Sequence, residues 1–287
     1  MSMDQPTAAG LAWEGLGLGD LWCWPLPALP RRGDRTLLRL AATLARGQVR
    51  RLTGWERVLP ERDPFVLVAN HGSRRETLYL VAALMLARGG RPVHFLADWN
   101  FRLIPGVGYL YDRSGAITVI RKDARPSVLN RLKPRFASET PAMDQARARL
   151  QAGTAIALFP EGTVNRDSRH LLRGRFGAAR LSLETGVPVL PMGIRFLGAP
   201  LRDGRSDLAS PMDVRIGAAM TPPSSGPGPA PITAVRHWHA DVMTAIAALC
   251  GKQWAAAPPV GVQNAARLNS NVEAGPTVGG GPRAEEA

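Results

Sequence analysis

The sequence predicts an α/β fold, a mostly parallel sheet flanked by helices, with an N-terminal basic amphipathic helix ahead of it. Three observations carry that expectation. Short apolar, β-branched runs alternate with longer stretches of helical periodicity from residue 65 onward, the pattern of a parallel sheet covered on both faces. Several helical stretches stop at a glycine, namely Gly89, Gly153 and Gly186. The 287 residues are 45% hydrophobic, enough to bury one large core or two small ones.

Residues 1–30 form an apolar N-terminal segment. Leu11 to Pro30 is greasy, but Glu14 and Asp20 interrupt it, so no run approaches the roughly 20 apolar residues of a spanning helix. Met1 to Gly10 lacks a basic segment leading into an apolar one, so no signal peptide is expected. Trp13, Trp22 and Trp24 suit either a lipid interface or ordinary packing. Residues 31–62 hold nine arginines against three acids. Within them, Thr36 to Arg51 reads as a helix with Leu37, Leu38, Leu40, Leu44 and Val49 set among arginines. Such a segment suits an anionic membrane surface, or a docking helix with one solvated face.

Residues 63–220 are the main domain. Expected strands are Phe65–Ala69, Val93–Ala97, Ala116–Ile120, Ala155–Phe159, Pro188–Ile194 and Val214–Ala218. The helices between them include Thr77–Arg88, Met143–Gln151 and Ala178–Thr185. Arg125 to Pro141 breaks the rhythm as a polar surface excursion. Residues 221–254 comprise a Pro/Gly/Ser linker and a final helix, Ile232–Cys250. Residues 255–287 read as a disordered tail of small residues, Gly and Pro.

The net charge of +13 points to an anionic partner: nucleic acid, a membrane surface or a phosphorylated substrate. Cys23 and Cys250 lie far apart, which argues against a disulfide framework and against metal-like spacing. His237 and His239, two apart, do not share a helix face, and no metal is assigned to them. His94 and His170 read as structural or surface residues.

Four clusters carry chemistry. The apolar run Val66–Ala69 stops at Asn70, and His71 follows in a strand-to-helix turn, where open α/β sheets place their sites. From the first helical turn, Glu76 can reach back to one imidazole nitrogen and fix its tautomer, leaving the other to take a proton. The plainer reading is a capping Asn-His pair beside a surface glutamate. Gly115 to Arg121 is a strand that brings a guanidinium to the same sheet edge; arginine can grip a phosphate with two parallel bonds. Phe159-Pro160-Glu161-Gly162-Thr163 turns out of the next strand, with Gly162 allowing close backbone approach and Arg166 restoring positive charge. Glu161 suits a hydroxyl, so this turn fits a polyol phosphate better than a bare nucleotide. Val187-Pro188-Val189-Leu190-Pro191 is an apolar strand that could wall a greasy channel or belong to the core.

In this order the four clusters resemble the glycerolipid acyltransferase superfamily, whose best-known members are 1-acylglycerol-3-phosphate acyltransferases. The resemblance spans roughly Pro64 to Gly217, and the Phe-Pro-Glu-Gly-Thr block is its most specific part. It implies a glycerol-phosphate acyltransferase-like fold with His71 and Glu76 as the catalytic pair. Glu76 stands where the family has Asp, one methylene longer, which should still reach His71 from another rotamer. The resemblance further implies that Arg121, Glu161, Gly162, Thr163 and Arg166 bind substrate. Asn70, Gly115, Phe159, Pro160, Val187, Pro188 and Pro191 fall at structural or acyl-chain positions.

The implied reaction moves a fatty acyl group from acyl-CoA or acyl carrier protein to the free hydroxyl of a lysophospholipid. 1-Acylglycerol-3-phosphate, giving phosphatidic acid, is the first choice; another lysolipid such as lyso-ornithine lipid is an alternative. Ser73 sits only two residues from His71 and the cysteines lie outside the blocks, so no acyl-enzyme is expected. Backbone N–H groups of Gly72 to Arg74 are the expected oxyanion donors. No bound cofactor and no metal are expected. The implied place of work is peripheral, on the cytoplasmic face of the cell membrane, with the anionic membrane surface as partner. Rival readings are a nucleic-acid-binding protein, a non-catalytic lipid-binding relative and a hydrolase. The first lacks any recognised nucleic-acid motif, and its arginines surround an apolar-walled site instead.

Overall fold

A computed structural model describes residues 16–104, 107–224 and 229–255. The strands are β1 (Val49–Thr53), β2 (Val66–Ala69), β3 (His94–Asp98), β4 (Ile117–Val119), β5 (Ile156–Leu158), β6 (Val189–Phe196) and β7 (Met212–Ile216). They form one sheet in the order β1-β7-β6-β2-β5-β3-β4. From β6 to β4 the strands are parallel; β7 runs antiparallel to β6, and β1 runs parallel to β7. The helices are α1 (Leu18–Cys23), α2 (Arg32–Arg46), α3 (Arg74–Ala87), α4 (Val107–Arg113), α5 (Ala142–Gln151), α6 (Gly177–Thr185) and α7 (Ile232–Cys250).

The two-residue period of the strands divides the core into two layers. Leu67 and Ala69 of β2 join Leu190, Met192 and Ile194 of β6 beneath α2 and α3. Val66 and Val68 turn the other way and meet Ile156, Leu158 and Val189 against α5, α6 and α7. A sheet buried on both faces leaves only its ends open, and the chemistry must sit there.

The expected helix Thr36–Arg51 is corrected at its end. Helix α2 stops at Arg46, and Val49 to Arg51 belong to β1. A register shift between Val49 and Arg51 places the buried Val49 and Leu52 three residues apart, a spacing that mimics a helix. Two arginines of α2 act as anchors: Arg35 donates to the Leu29 carbonyl at 2.5 Å and Arg39 to that of Trp24 at 3.2 Å. The outer face of α2 exposes Leu40 and Leu44. Among the described residues, no helix is long and apolar enough to cross a membrane.

The last strand lies two residues earlier than the expected Val214–Ala218, because Met212 pairs with both β1 and Phe196 of β6. The excursion of residues 125–141 contains a 3-10 segment, Ser127–Phe136, whose Phe136 ring lies 6.0 Å from that of Trp99. Trp13, residues 225–228 of the linker and the expected tail from residue 256 onward lie outside the described residues.

Two buried histidines give the fold a pH dependence. Burial depresses His94 and His239 below their ordinary value of 6.5, and Arg149 pushes His94 further down. A depressed imidazole contributes stability that is complete above the unfolded value and is lost as pH falls through the folded one. The melting temperature should therefore drop as pH is lowered below about 6.5, and calorimetry should find a shallower drop in a His94→Gln/His239→Gln protein. Equal slopes in the two proteins would contradict this.

Candidate active site

Strands β2, β4 and β5 are parallel members of one array, so the turns after them emerge at the same edge of the sheet. The turn after β2 carries Asn70 and His71. Asn70 is buried, and its amide bonds to the main chain of β6: Nδ2 donates to the Ile194 carbonyl at 3.0 Å, and Oδ1 accepts from Ile194 N–H at 2.7 Å. Ser73 caps α3 by accepting from Arg75 N–H at 3.2 Å, which puts Glu76 in the first helical turn. From there Glu76 Oε1 accepts from His71 Nδ1 at 2.6 Å and from Gly72 N–H at 2.8 Å. The longer glutamate side chain thus reaches the imidazole. With Nδ1–H committed to the carboxylate, Nε2 is the nitrogen left to accept a proton.

Glu76 is 1% exposed, and its Oε2 has no hydrogen-bond partner among the described residues. Burial pushes its carboxyl above the ordinary range, against the opposing pull of the bonds from His71 and Gly72. The Gly72 N–H is therefore occupied by Glu76 and is not available as the expected oxyanion donor.

The turn after β5 holds the histidine from the other side. The Phe159 ring stacks on the His71 imidazole with centroids 4.3 Å apart and planes 20° from parallel. Glu161, expected to bind substrate, has its carboxylate engaged by the protein itself. It is buried, its Oε1 accepts from His71 N–H at 2.9 Å, and its Oε2 accepts from Asn165 Nδ2 at 2.7 Å and Leu172 N–H at 2.9 Å. Asn165 N–H also donates to the His71 carbonyl at 2.7 Å. Both backbone ends of His71 are clamped by this pair. Asn165 was not among the expected site residues, although a short polar side chain four residues after Glu161 was the available signal.

A cavity of about 1000 Å³ opens beside His71. Leu78 and Val81 of α3, Phe95 of β3, Leu110 of α4, Val119 of β4 and Leu158 of β5 contribute apolar wall. Arg75, Arg121, Lys122 and Arg175 bring positive charge to the same lining, as Gly162 and Pro160 bring backbone. Arg121 is thus where the sequence expects it. Thr163 and Arg166 are exposed but outside this lining. Val187, Pro188 and Pro191 are outside it too; Val187 lies in the core against α6 and α7, so the greasy wall comes from β3, β4 and α4 instead. Gly115 makes the turn from α4 into β4 and accepts a hydrogen bond from His94 Nδ1 at 3.0 Å.

The array can deprotonate a hydroxyl at Nε2 beside an apolar chamber with a cationic rim. Known proteins of similar sequence are acyltransferases. The chain is 27% identical over 159 residues to the chloroplastic 1-acyl-sn-glycerol-3-phosphate acyltransferase BAT2 of Brassica napus, covering 55% of this chain and 41% of that protein. It is 26% identical over 159 residues to the chloroplastic 1-acyl-sn-glycerol-3-phosphate acyltransferase LPAT1 of Arabidopsis thaliana, covering 55% and 39%. The match thus spans about two-fifths of the length of these curated relatives. Among solved structures it is similar to the 1-acyl-sn-glycerophosphate acyltransferase PlsC from Thermotoga maritima, with a TM-score of 0.49, 21% identity and coverage of 79% of this chain and 86% of that one. The Acyltransferase family model matches residues 51–195, a segment that holds His71, Glu76, Arg121 and the whole Phe159–Thr163 turn, and the chain belongs to that family.

Proposed function

We propose that the protein transfers a fatty acyl group from a thioester, acyl-CoA or acyl carrier protein, to the free hydroxyl of 1-acylglycerol-3-phosphate. The observation that carries this reading is the His71–Glu76 pair at the mouth of an apolar cavity with a cationic rim. His71 Nε2 takes the hydroxyl proton as the oxygen attacks the thioester carbonyl. The carbon–sulfur bond then breaks, and the departing thiolate recovers that proton from the imidazolium. Ester forms, thiol leaves, and no acyl group is carried by the protein. The carboxylate of Glu76 steadies the imidazolium during the exchange. Arg121 at the rim meets the acceptor's phosphate, and the apolar walls take the chains.

The protein works, on this reading, as a peripheral partner of the anionic cytoplasmic membrane surface. Exposed Leu18 and Trp22 of α1, and exposed Leu40 and Leu44 among the arginines of α2, support that placement. Purified protein given labelled oleoyl-CoA and lysophosphatidate should form labelled phosphatidate. Binding of both substrates with no product would overturn the reading in favour of a lipid-binding protein, and release of free oleate would favour a hydrolase.

A further inference from the structure

We infer that Arg175, not Arg166, is the second arginine that grips the acceptor's phosphate beside Arg121. The inference rests on the proposed phosphorylated acceptor and adds a residue to it. Both arginines follow the Phe-Pro-Glu-Gly-Thr turn and both are exposed, but only Arg175 lines the cavity that holds His71 and Arg121. At the position directly after Thr163 the cavity is lined by Val164, an apolar residue, so that turn supplies no cation to it from there.

Three contacts present Arg175 to the cavity. Its N–H donates to the Pro160 carbonyl at 2.8 Å, one residue from the Phe159 ring that stacks on His71. Its side chain passes over Gly162, which has φ +67°: a Cβ there would lie 2.6 Å from Arg175 Nε, so the close approach needs glycine. The turn before it is held from α7. His239 Nε2 donates to the Arg173 carbonyl at 2.9 Å, and Trp254 Nε1 donates to the same oxygen at 3.3 Å. Gly174, at φ +77°, leaves room for the His239 ring, and Phe176 meets that ring edge-on with centroids 5.0 Å apart.

Among the described residues the Arg175 guanidinium has no ion pair and no hydrogen bond. An unpaired guanidinium over a glycine turn, on the rim of an apolar chamber, suits a two-pronged grip on a phosphate. Gly177, at the start of α6, also lines the cavity, so the positive end of that helix adds to the same field.

The test is equilibrium binding of a short-chain lysophosphatidate and of the matching monoacylglycerol, without donor, to wild type and to Arg121→Gln, Arg175→Gln and Arg166→Gln proteins. Arg175→Gln should weaken lysophosphatidate about tenfold and leave monoacylglycerol unchanged, while Arg166→Gln changes either by less than about twofold. Arg175→Lys keeps the charge but loses the fork, and should lose roughly threefold for lysophosphatidate alone. Weakening by Arg166→Gln with no effect of either Arg175 variant overturns the inference and leaves the proposed acceptor standing. Equal affinity of wild type for both lipids refutes the phosphorylated acceptor itself, and this inference with it.

Discussion

Replacing His71 with alanine is expected to lower kcat by roughly 10²–10⁴-fold while the protein stays folded. The proton acceptor disappears, and its partner Glu76 is not placed to take its role. Glu76 is nearly enclosed and accepts from Gly72 N–H, and burial raises its carboxyl while the bond from His71 opposes that rise. Losing the imidazole removes that opposing pull, so the carboxyl takes up a proton more readily and remains in place, at little cost to the fold. The cavity walls and rim cations are untouched, and the Michaelis constant for lysophosphatidate should move by less than about threefold. Initial rates at saturating oleoyl-CoA, together with a calorimetric melting temperature, check both halves. A variant that keeps more than a tenth of the wild-type rate would sink the general-base role.

The second large effect belongs to Glu161. Its carboxylate receives three N–H donors, from His71, Asn165 and Leu172. Glutamine at this position keeps one acceptor oxygen and turns an NH2 group toward at least one of those donors. A buried donor left unsatisfied costs about 1–3 kcal/mol, so Glu161→Gln should destabilise the protein by roughly 2–4 kcal/mol. For a protein of this size that is a fall of roughly 5–15 °C in melting temperature. Because one displaced donor is the backbone of His71, kcat should fall as well, on the order of 100-fold for a shift near 1 Å. The Michaelis constant distinguishes this role from direct contact with the acceptor. If Glu161→Gln raises that constant tenfold with stability and kcat intact, the glutamate grips substrate and the clamp described here is wrong.

The parts of this molecule that sequence made legible are those governed by local pattern. The buried strands β2, β3, β5 and β6 are each a short apolar run, and they lie within a residue or two of where the pattern puts them. The pairing of His71 with Glu76 follows from a fixed five-residue offset across a capped helix start, and the structure brings the two within 2.6 Å. What escaped depends on distant partners. Strand β1 is recognisable only through β7, some 160 residues later, and its bulge disguises its period. Glu161 reads as an acceptor for a hydroxyl because its three donors are scattered from residue 71 to residue 172. Arg166 and Arg175 are indistinguishable as arginines after a turn; only the path of the chain past α7 decides which one meets the cavity.

The two bonds between Asn70 and Ile194 let a side chain imitate a peptide unit, extending the ladder one step past the point where the backbone itself bends away. The bend that carries His71 is thereby tied to β6, a strand paired on both sides within the sheet. Its geometry is settled when the chain folds, so on the proposed reading a lipid acceptor would meet His71 already in position.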